Sequence, residues 1–576
     1  MIELILISKM ALVKGAQVAG RADLSKLNRV YGYVEREGSY YNPKNPAQTS
    51  AFVDIYQDSS VNQYGLLSTL HKPVYVSANG DTILFCFRRV DVADPSGSGR
   101  IGVAWSYDRG QTWYTAGNIN GTPNGRYPSA VGFTSDGTPV CSWPELIGGT
   151  WGAMAIGKVG SPAVVTTNLG TYRSIGYKVG TDTFAFIGFT AGTDIVYLGF
   201  YDAISNDFIG SPIAVRDPAN DFGIVPYAVD IIDDSVYVIG FDNTVGSPTE
   251  NKVGYFLIKK DGTTNPDPAS GNNLIDTLAL YAFTIGGKNF TVLVDIDVRF
   301  SPNYIYVLYA LQENPVPYDD STVSHILVLQ KYTKTPSGTI DWSVPIHQWI
   351  WAPWYNNSVQ NKLPFAHQPK LAIKGDDQIV ILFVQWTDST NSGCGTNYAG
   401  NAPKDIFYIA SGNGGVNWGL RKVNWNNNPS KLEDFVWPAR VGSRDLSITD
   451  QDTLIIAYLT PTDGSTDIHC NALSAGSVTG SYNWLAKEGV SYNNGDFQDT
   501  LIVVDVSEIS KSYNYSIIGL KGQIKVKTLD KNAIVSLYNL NGSLIDRKIG
   551  DNILFKVKKG IYIVRINKEN YKVVVQ

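Results

Sequence analysis

One unit recurs along this chain: an apolar strand, a polar turn carrying Asp, a second and more strongly apolar strand, then a loop with another Asp. It is plainest in HKPVYVSANGDTILFCFRRVD (71–91) and HQPKLAIKGDDQIVILFVQWTD (367–388), both opening on His-x-Pro. Weaker copies are RYPSAVGFTSDGTPVCSWPE (126–145), FAFIGFTAGTDIVYLGFYD (184–202), PYAVDIIDDSVYVIGFDN (226–243), DIDVRFSPNYIYVLYALQE (295–313) and RDLSITDQDTLIIAYLTPTD (444–463). About seven copies, spaced by roughly 40 to 75 residues, is the period of a repeat whose unit is one small sheet. A single hairpin of this kind cannot bury both of its faces. Stacking copies around an axis buries them and leaves only short edges.

The expected fold is therefore all-β, a propeller of six to eight blades with seven favoured, over residues 55–495. A small antiparallel β-sandwich should follow at 510–576, after a linker at 496–509. Composition agrees: Tyr, Trp, Val, Ile, Gly and Asn are plentiful, only 17% of the 576 residues are charged, and no long stretch has helical apolar spacing. A net charge of −5 gives no global attraction to nucleic acid or anionic membrane. No stretch approaches the ~18 apolar residues of a spanning helix. The first 54 residues begin MIELILISKMALVKGAQVAG, apolar but broken by Glu3, Lys9 and Lys14. They read as the truncated remnant of a signal peptide plus a lead-in.

Other chemistry is thinly supplied. Cys86, Cys141, Cys394 and Cys470 lack metal-ligand spacing, so no metal site is expected. Cys86 and Cys141 sit in apolar runs and read as buried thiols, while Cys394 lies in a polar loop. The five histidines do not cluster, and no nucleophile elbow, phosphate loop or His-Glu-x-x-His is present. No cofactor is expected except calcium, for which VDVADPSGSG and VPYDDSTVS concentrate oxygen donors without EF-hand spacing. Aromatic residues crowd HQWIWAPWYNN, where Trp349, Trp351 and Trp354 suit either packing between blades or stacking on a glycan or protein.

SYDRGQTW (106–113) follows the strand-like run Ile101 to Trp105. Asp108 is placed to accept from amides of its own turn, Gly110 to take a positive φ, and Trp113 to pack under the hairpin. Ser106, Asp108, Gly110, Thr112 and Trp113 match every fixed position of S-x-D-x-G-x-T-W, so the stretch resembles the Asp-box of sialidases and related bacterial propellers. SGNGGVNW (411–418) is a second copy through Ser411, Asn413, Gly415 and Trp418, and SGTIDW (337–342) and VTGSYNW (478–484) are degenerate ones. The resemblance implies a structural turn on the rim, away from the end where propellers bind ligands.

The same resemblance implies, for a sialidase, three arginines that hold a carboxylate, an acidic Asp and a Tyr/Glu nucleophile pair. The position of the first arginine is here Lys72, which cannot offer the planar fork. Asp91, Asp94, Glu145 and Glu313 are the carboxylates available as acids, and Arg88 and Arg89 are candidates to face a ligand. Arg126, Arg299, Arg440 and Arg444 are further cations without a local family motif.

From about residue 510 the tail turns basic, with about three Lys or Arg for each Asp or Glu. VSLYNLNGSLI, KKGIYIVRI and the closing YKVVVQ, with Tyr538, Gly542, Gly560, Tyr562 and Lys572, resemble the type A C-terminal sorting domain of type IX secretion cargo. That likeness implies export to the cell surface or beyond, with the secretion machinery as a partner. The expectation is a secreted or surface propeller that binds glycans or extracellular proteins without catalysis. The alternatives are a sialidase-like glycoside hydrolase with a non-standard site and a subunit of an extracellular assembly.

Overall fold

In a computed structural model the described residues are 49–50, 53–60, 72–91, 94–190, 195–216 and, from 224 to 575, the strands named below with the turns attached to them. Among them every regular element is a strand.

Seven sheets follow one another along residues 49–504. Sheet 1 is Val74–Val76, Ile83–Asp91, Asp94–Ser106 and Tyr114–Ala116, and sheet 2 is Ser129–Phe133, Pro139–Ile147, Thr150–Lys158 and Val164–Val165. Sheet 3 starts with Thr171–Lys178, Thr183–Thr190 and Val196–Asp202, and sheet 4 with Ile224–Ile232, Ser235–Asp242 and Lys252–Lys259. Sheet 5 is built on Lys288–Phe300, Tyr304–Glu313, His325–Thr333 and His347–Trp351, and sheet 6 on Ala366–Lys374, Gln378–Trp386, Lys404–Ser411 and Lys422–Asn424. Sheet 7 takes Asp434–Pro438, Thr453–Pro461 and Ser481–Gly489, and its fourth strand is Val53–Ser60 from the other end of the chain.

Alternation along the middle strands explains the packing. In Ile83–Asp91, Leu84 and Cys86 face sheet 2 while Ile83, Phe85 and Phe87 face sheet 7, where they meet Ile455, Ala457, Leu459 and Leu485. Equivalent buried clusters join sheets 2 and 3, 3 and 4, 5 and 6, and 6 and 7. The first strands of sheets 4 and 5 pack on each other. The order of contact thus returns to its start.

First strands are also tied to each other by side chains. The Lys72 amide donates to Ser129 Oγ at 3.0 Å, and Ser129 Oγ donates to the Ser174 carbonyl at 2.9 Å. Farther round, the Leu371 amide donates to Asp297 Oδ2 at 2.7 Å and Arg299 Nε donates to the Leu371 carbonyl at 3.1 Å. Arg299 and Asp297 are both buried and 3.3 Å apart.

Several expectations need correction. The ring takes in residues before 55, because Val53–Ser60 completes sheet 7 and Thr49–Ser50 adds to sheet 6. The linker expected at 496–509 contains Leu501–Val504, which pairs with His347–Trp351. The unit at 184–202 covers the second and third strands of sheet 3, whose first strand is the less apolar Thr171–Lys178. In sheet 7 the first strand is Asp434–Pro438, upstream of the unit at 444–463. Ser481 to Trp484 lie within a third strand, not at a turn, and 337–342 lie outside the described residues. Cys86 and Cys141 are not thiols but a buried disulfide joining the second strands of sheets 1 and 2. Only the packing of the two sheets puts these cysteines face to face.

In the tail, Tyr515–Leu520, Gln523–Thr528 and Asn552–Lys556 form one sheet, and Leu544–Ile549, Ile534–Asn539, Gly560–Ile566 and Glu569–Val575 another. They share a core of Ile524, Val526, Ile553 and Phe555 against Val535, Leu537, Val564 and Ile566. The Asn539 amide donates to the Ser543 carbonyl at 3.0 Å, and Gly542 lies outside the described residues. Arg565 stacks on Tyr538, and the Tyr562 hydroxyl donates to the Lys558 carbonyl at 2.8 Å.

The bridge spans 55 residues and restricts the unfolded chain accordingly. Replacing both cysteines by Ser is expected to lower stability by about 2–4 kcal/mol. Urea unfolding of the oxidised parent and the double variant measures it, and equal midpoints would refute a stabilising bridge.

Candidate functional site

Antiparallel order gives the ring two different ends. Connections between the first and second strands, and between the third and fourth, lie at one end; the second-to-third connections and the exits to the next sheet lie at the other. At the first end the turns between first and second strands are short, such as 134–138, 301–303 and 375–377. At the second end the connections lengthen from 92–93 in sheet 1 and 148–149 in sheet 2 to 387–403 in sheet 6 and 462–480 in sheet 7.

Side chains latch the short-turn end together. Ser135 donates through its amide and hydroxyl to Asp182 at 2.7 and 2.8 Å, joining sheets 2 and 3. Asn303 donates in the same way to Asp376 at 3.0 and 2.6 Å, joining sheets 5 and 6. Lys374 reaches Asp452 at 2.8 Å, and the Asp450 amide donates to the Ala78 carbonyl at 2.9 Å, which carries the belt from sheet 6 through 7 to 1.

The turn at 106–113 belongs to this end. Asp108 Oδ1 accepts from the amides of Gln111 and Thr112 at 3.0 and 2.8 Å, and Oδ2 accepts from the Thr112 hydroxyl at 2.6 Å. Ser106 Oγ donates to Asp108 and accepts from the Gly110 amide, each at 2.8 Å. Gly110 has φ 81°, and Trp113 packs beside Ile55 and Tyr56 on the cluster between sheets 7 and 1. At 411–418, Ser411 Oγ bonds Asn413 Oδ1 and accepts from the Gly415 amide at 2.8 Å. Trp418 is buried edge-on against Trp349. These residues close hairpins, and the hydrogen bonds of Ser106, Asp108 and Thr112 named above are made within their own turn.

At the opposite end the best-defined group lies on sheets 1 and 2. Residues 119–126 run between the two sheets: the Ile119 amide donates to the Ile101 carbonyl at 3.2 Å, the Arg126 amide to the Pro144 carbonyl at 3.1 Å and the Leu146 amide to the Asn124 carbonyl at 2.8 Å. Asn120 clamps the segment, accepting from the Ile101 amide and donating to Gly99. Tyr127 follows with φ 42°, a left-handed conformation that costs a non-glycine residue roughly 1–3 kcal/mol. Arg126 stacks on Trp151 with its guanidinium carbon 3.7 Å from the ring centre, and its buried Nε has no hydrogen-bond partner among the described residues.

Glu145 is buried nearby on sheet 2 and accepts from the Trp143 indole N–H at 2.8 Å. Burial pushes its pKa up, and the indole hydrogen bond offsets part of that rise.

The remaining sequence candidates separate. Trp349 is a correction: it is core between sheets 5 and 6, packed so closely on Gly415 that a Cβ there would collide with it. Arg89 pairs with Asp58 of sheet 7 at 3.6 Å and stays partly exposed. Arg88 and Lys72 are buried. Asp91 and Asp94 are register partners at the tip of a sheet 1 hairpin, and Glu313 ends a strand of sheet 5 opposite Phe290. Trp351 is on a strand of sheet 5 and Lys572 on one of the tail. Trp354, Cys394, Arg444 and the segment 316–324 lie outside the described residues. Among the described residues no group of three His, Cys, Asp or Glu side chains could hold a metal. The sequence reading passed over Trp143 and Trp151, although each stands within two residues of a Glu or a Gly-Gly turn on adjacent strands.

No family model matches the chain, and no curated protein matches it in sequence. Among solved structures it is similar to hydrazine synthase of Kuenenia stuttgartiensis, at 12% identity over 68% of this chain and 98% of that one, with a TM-score of 0.31. The catalytic domain of the Coprinopsis cinerea GH62 α-L-arabinofuranosidase aligns at 9% identity over 76% and 98%, TM-score 0.27. The GH43 protein BlXynB of Bacillus licheniformis aligns at 9% over 78% and 99%, TM-score 0.27. Likenesses at these scores carry no argument about activity.

Two pH effects follow. The Thr112 hydroxyl first and the turn amide next hold Asp108 down to about 2, as the Thr134 and Thr138 hydroxyls hold Asp136. Both lie below the ordinary value, so their contribution to stability is full above that value and is lost as pH falls through about 2. Asp108→Asn with Asp136→Asn should flatten the decline in Tm between pH 5 and pH 2.5. Glu145 has the opposite sign: its raised pKa favours the folded state below the ordinary carboxylate range and loses that effect as pH rises through the folded value. Glu145→Gln should melt higher than the parent at pH 7.5 and equal to it near pH 4, and a lower melting temperature at pH 7.5 would contradict this.

Proposed function

We propose that the chain is a secreted or surface-displayed seven-bladed β-propeller with Asp-box hairpins, which binds extracellular glycans or proteins without catalysis and is exported by a C-terminal sorting module. The observation that carries the proposal is the division of labour between the two ends of the ring. One end is locked by carboxylate latches between successive turns. The other carries Arg126 and Trp151, a cation and an aromatic face supported from below by a clamped segment. Such a pair suits a polar ligand with one flat or apolar face.

Two features support the rest. The buried Cys86–Cys141 bridge fits a protein that matures in an oxidising compartment. The two-sheet tail module supports the sorting-domain reading, with Tyr538, Gly560, Tyr562 and Lys572 on or at the ends of its strands.

The test is a glycan-array and extracellular-protein screen with the full chain, followed by product analysis of every retained glycan. Retention without turnover, reduced at least tenfold by Trp151→Ala, is the expected result. Release of sugar would establish a hydrolase and overturn the non-catalytic reading. Retention unaffected by Trp151→Ala would remove the binding role from this end of the ring.

A further inference from the structure

A second aromatic group lies on the outer side of sheet 1, at the short-turn end and away from Arg126. Trp105 and Tyr114 are cross-strand partners on Asp94–Ser106 and Tyr114–Ala116. Their rings stack with centres 5.8 Å apart and planes 20° from parallel. Tyr107, in the turn, lies 5.8 Å from Tyr114 at 55° and 6.0 Å from Phe133 of sheet 2 at 52°. Trp105 and Phe133 are partly buried on the cluster between sheets 1 and 2, whereas Tyr107 and Tyr114 remain 46% and 53% exposed.

Scattered exposed apolar side chains are ordinary. These two are different because they are fixed. The Tyr107 hydroxyl donates to the Gly137 carbonyl at 2.7 Å, which sets its ring against Phe133. Tyr114 is backed by a tryptophan that is itself seated on the core. The pair forms a rigid two-walled shelf whose side-chain entropy is already lost before any ligand arrives.

Its surroundings select among ligands. Gln111 and Thr112 in the turn and Asp136 beside Tyr107 are exposed and offer donors and acceptors. Asp108 and Asp136 on either side of Tyr107 are held ionised down to about 2 by their own turns. Two fixed negative charges repel carboxylated or sulfated ligands and accept from hydroxyls.

We infer that Tyr107 and Tyr114 form a binding shelf for a neutral oligosaccharide, stacked through the C–H face of a sugar ring. The site is distinct from Arg126 and Trp151 and does not depend on the reading of that end.

The experiment is calorimetric titration of the full chain with the β-1,4-linked hexasaccharides of glucose, xylose and N-acetylglucosamine. At least one should bind, with Tyr114→Ala and Tyr107→Ala each weakening it about tenfold or more, Tyr114→Phe retaining it, and melting temperatures within about 3 °C of the parent. Binding unchanged in Tyr114→Ala, or binding of none of the three, overturns the inference. Loss in Trp151→Ala with Tyr114→Ala unaffected also overturns it while leaving the proposed function standing; loss in Tyr114→Ala alone supports it and counts against the loop end.

Discussion

Everything in the ring depends on apolar contact between neighbouring sheets. The middle strand of sheet 1 is buried on both faces, with Phe85 and Phe87 toward sheet 7 and Leu84 and Cys86 toward sheet 2. Such a sheet has no stable existence alone, since either face left in water would forfeit roughly 25 cal/mol for each Å² exposed. Closure answers that cost only when the last interface forms. The hydrogen bonds from Lys72 to Ser129 and onward to Ser174, and the carboxylate latches at the turns, then fix the rotation of sheets 1, 2 and 3, and of 5 and 6, about one another. They supply register where apolar packing alone is tolerant of sliding.

This arrangement also explains why the short-turn end is conservative in shape. An Asp that receives both an amide and a side-chain donor from the adjacent turn leaves little room for insertion in either. The opposite end has no such belt among the described residues, so sheets 4 to 7 can carry long connections without disturbing the core. Residues 119–126 are an exception, because Asn120 and four backbone hydrogen bonds hold them to sheets 1 and 2. They are the firm floor on which Arg126 and Trp151 sit.

What the sequence disclosed follows the range of the forces involved. Asp108, Gly110 and Trp113 act within eight residues, so side-chain length and the steric freedom of glycine were enough to read their turn. Strong paired strands such as Ile83–Asp91 and Gln378–Trp386 were visible for the same reason. Thr171–Lys178 was not, because Thr, Tyr, Arg and Ser dilute its apolar signal and its burial comes from sheets 2 and 4. Trp349 was offered as a ligand contact because tryptophans crowd that segment, but alternation along His347–Trp351 turns it inward onto Trp418. The Cys86–Cys141 bridge, the Arg89–Asp58 pair and the Arg126–Trp151 stack are products of sheets meeting, which spacing along one chain does not encode. Tyr107 falls inside the SYDRGQTW motif and Tyr114 directly after it, and only the packing of the sheets sets the two rings apart.

The placement of Val53–Ser60 has a consequence for how such a chain comes into being. Its partner, Ser481–Gly489, is made more than four hundred residues later, so until then Val53–Ser60 has no mate and the ring stays open. The tail module, beginning at Tyr515, emerges after that strand. Its appearance coincides with the moment at which every strand of the ring exists. A chain cut short anywhere before residue 481 therefore lacks both the closing strand and the tail, and the presence of the tail serves as a molecular record that the ring has all the pieces it needs to shut.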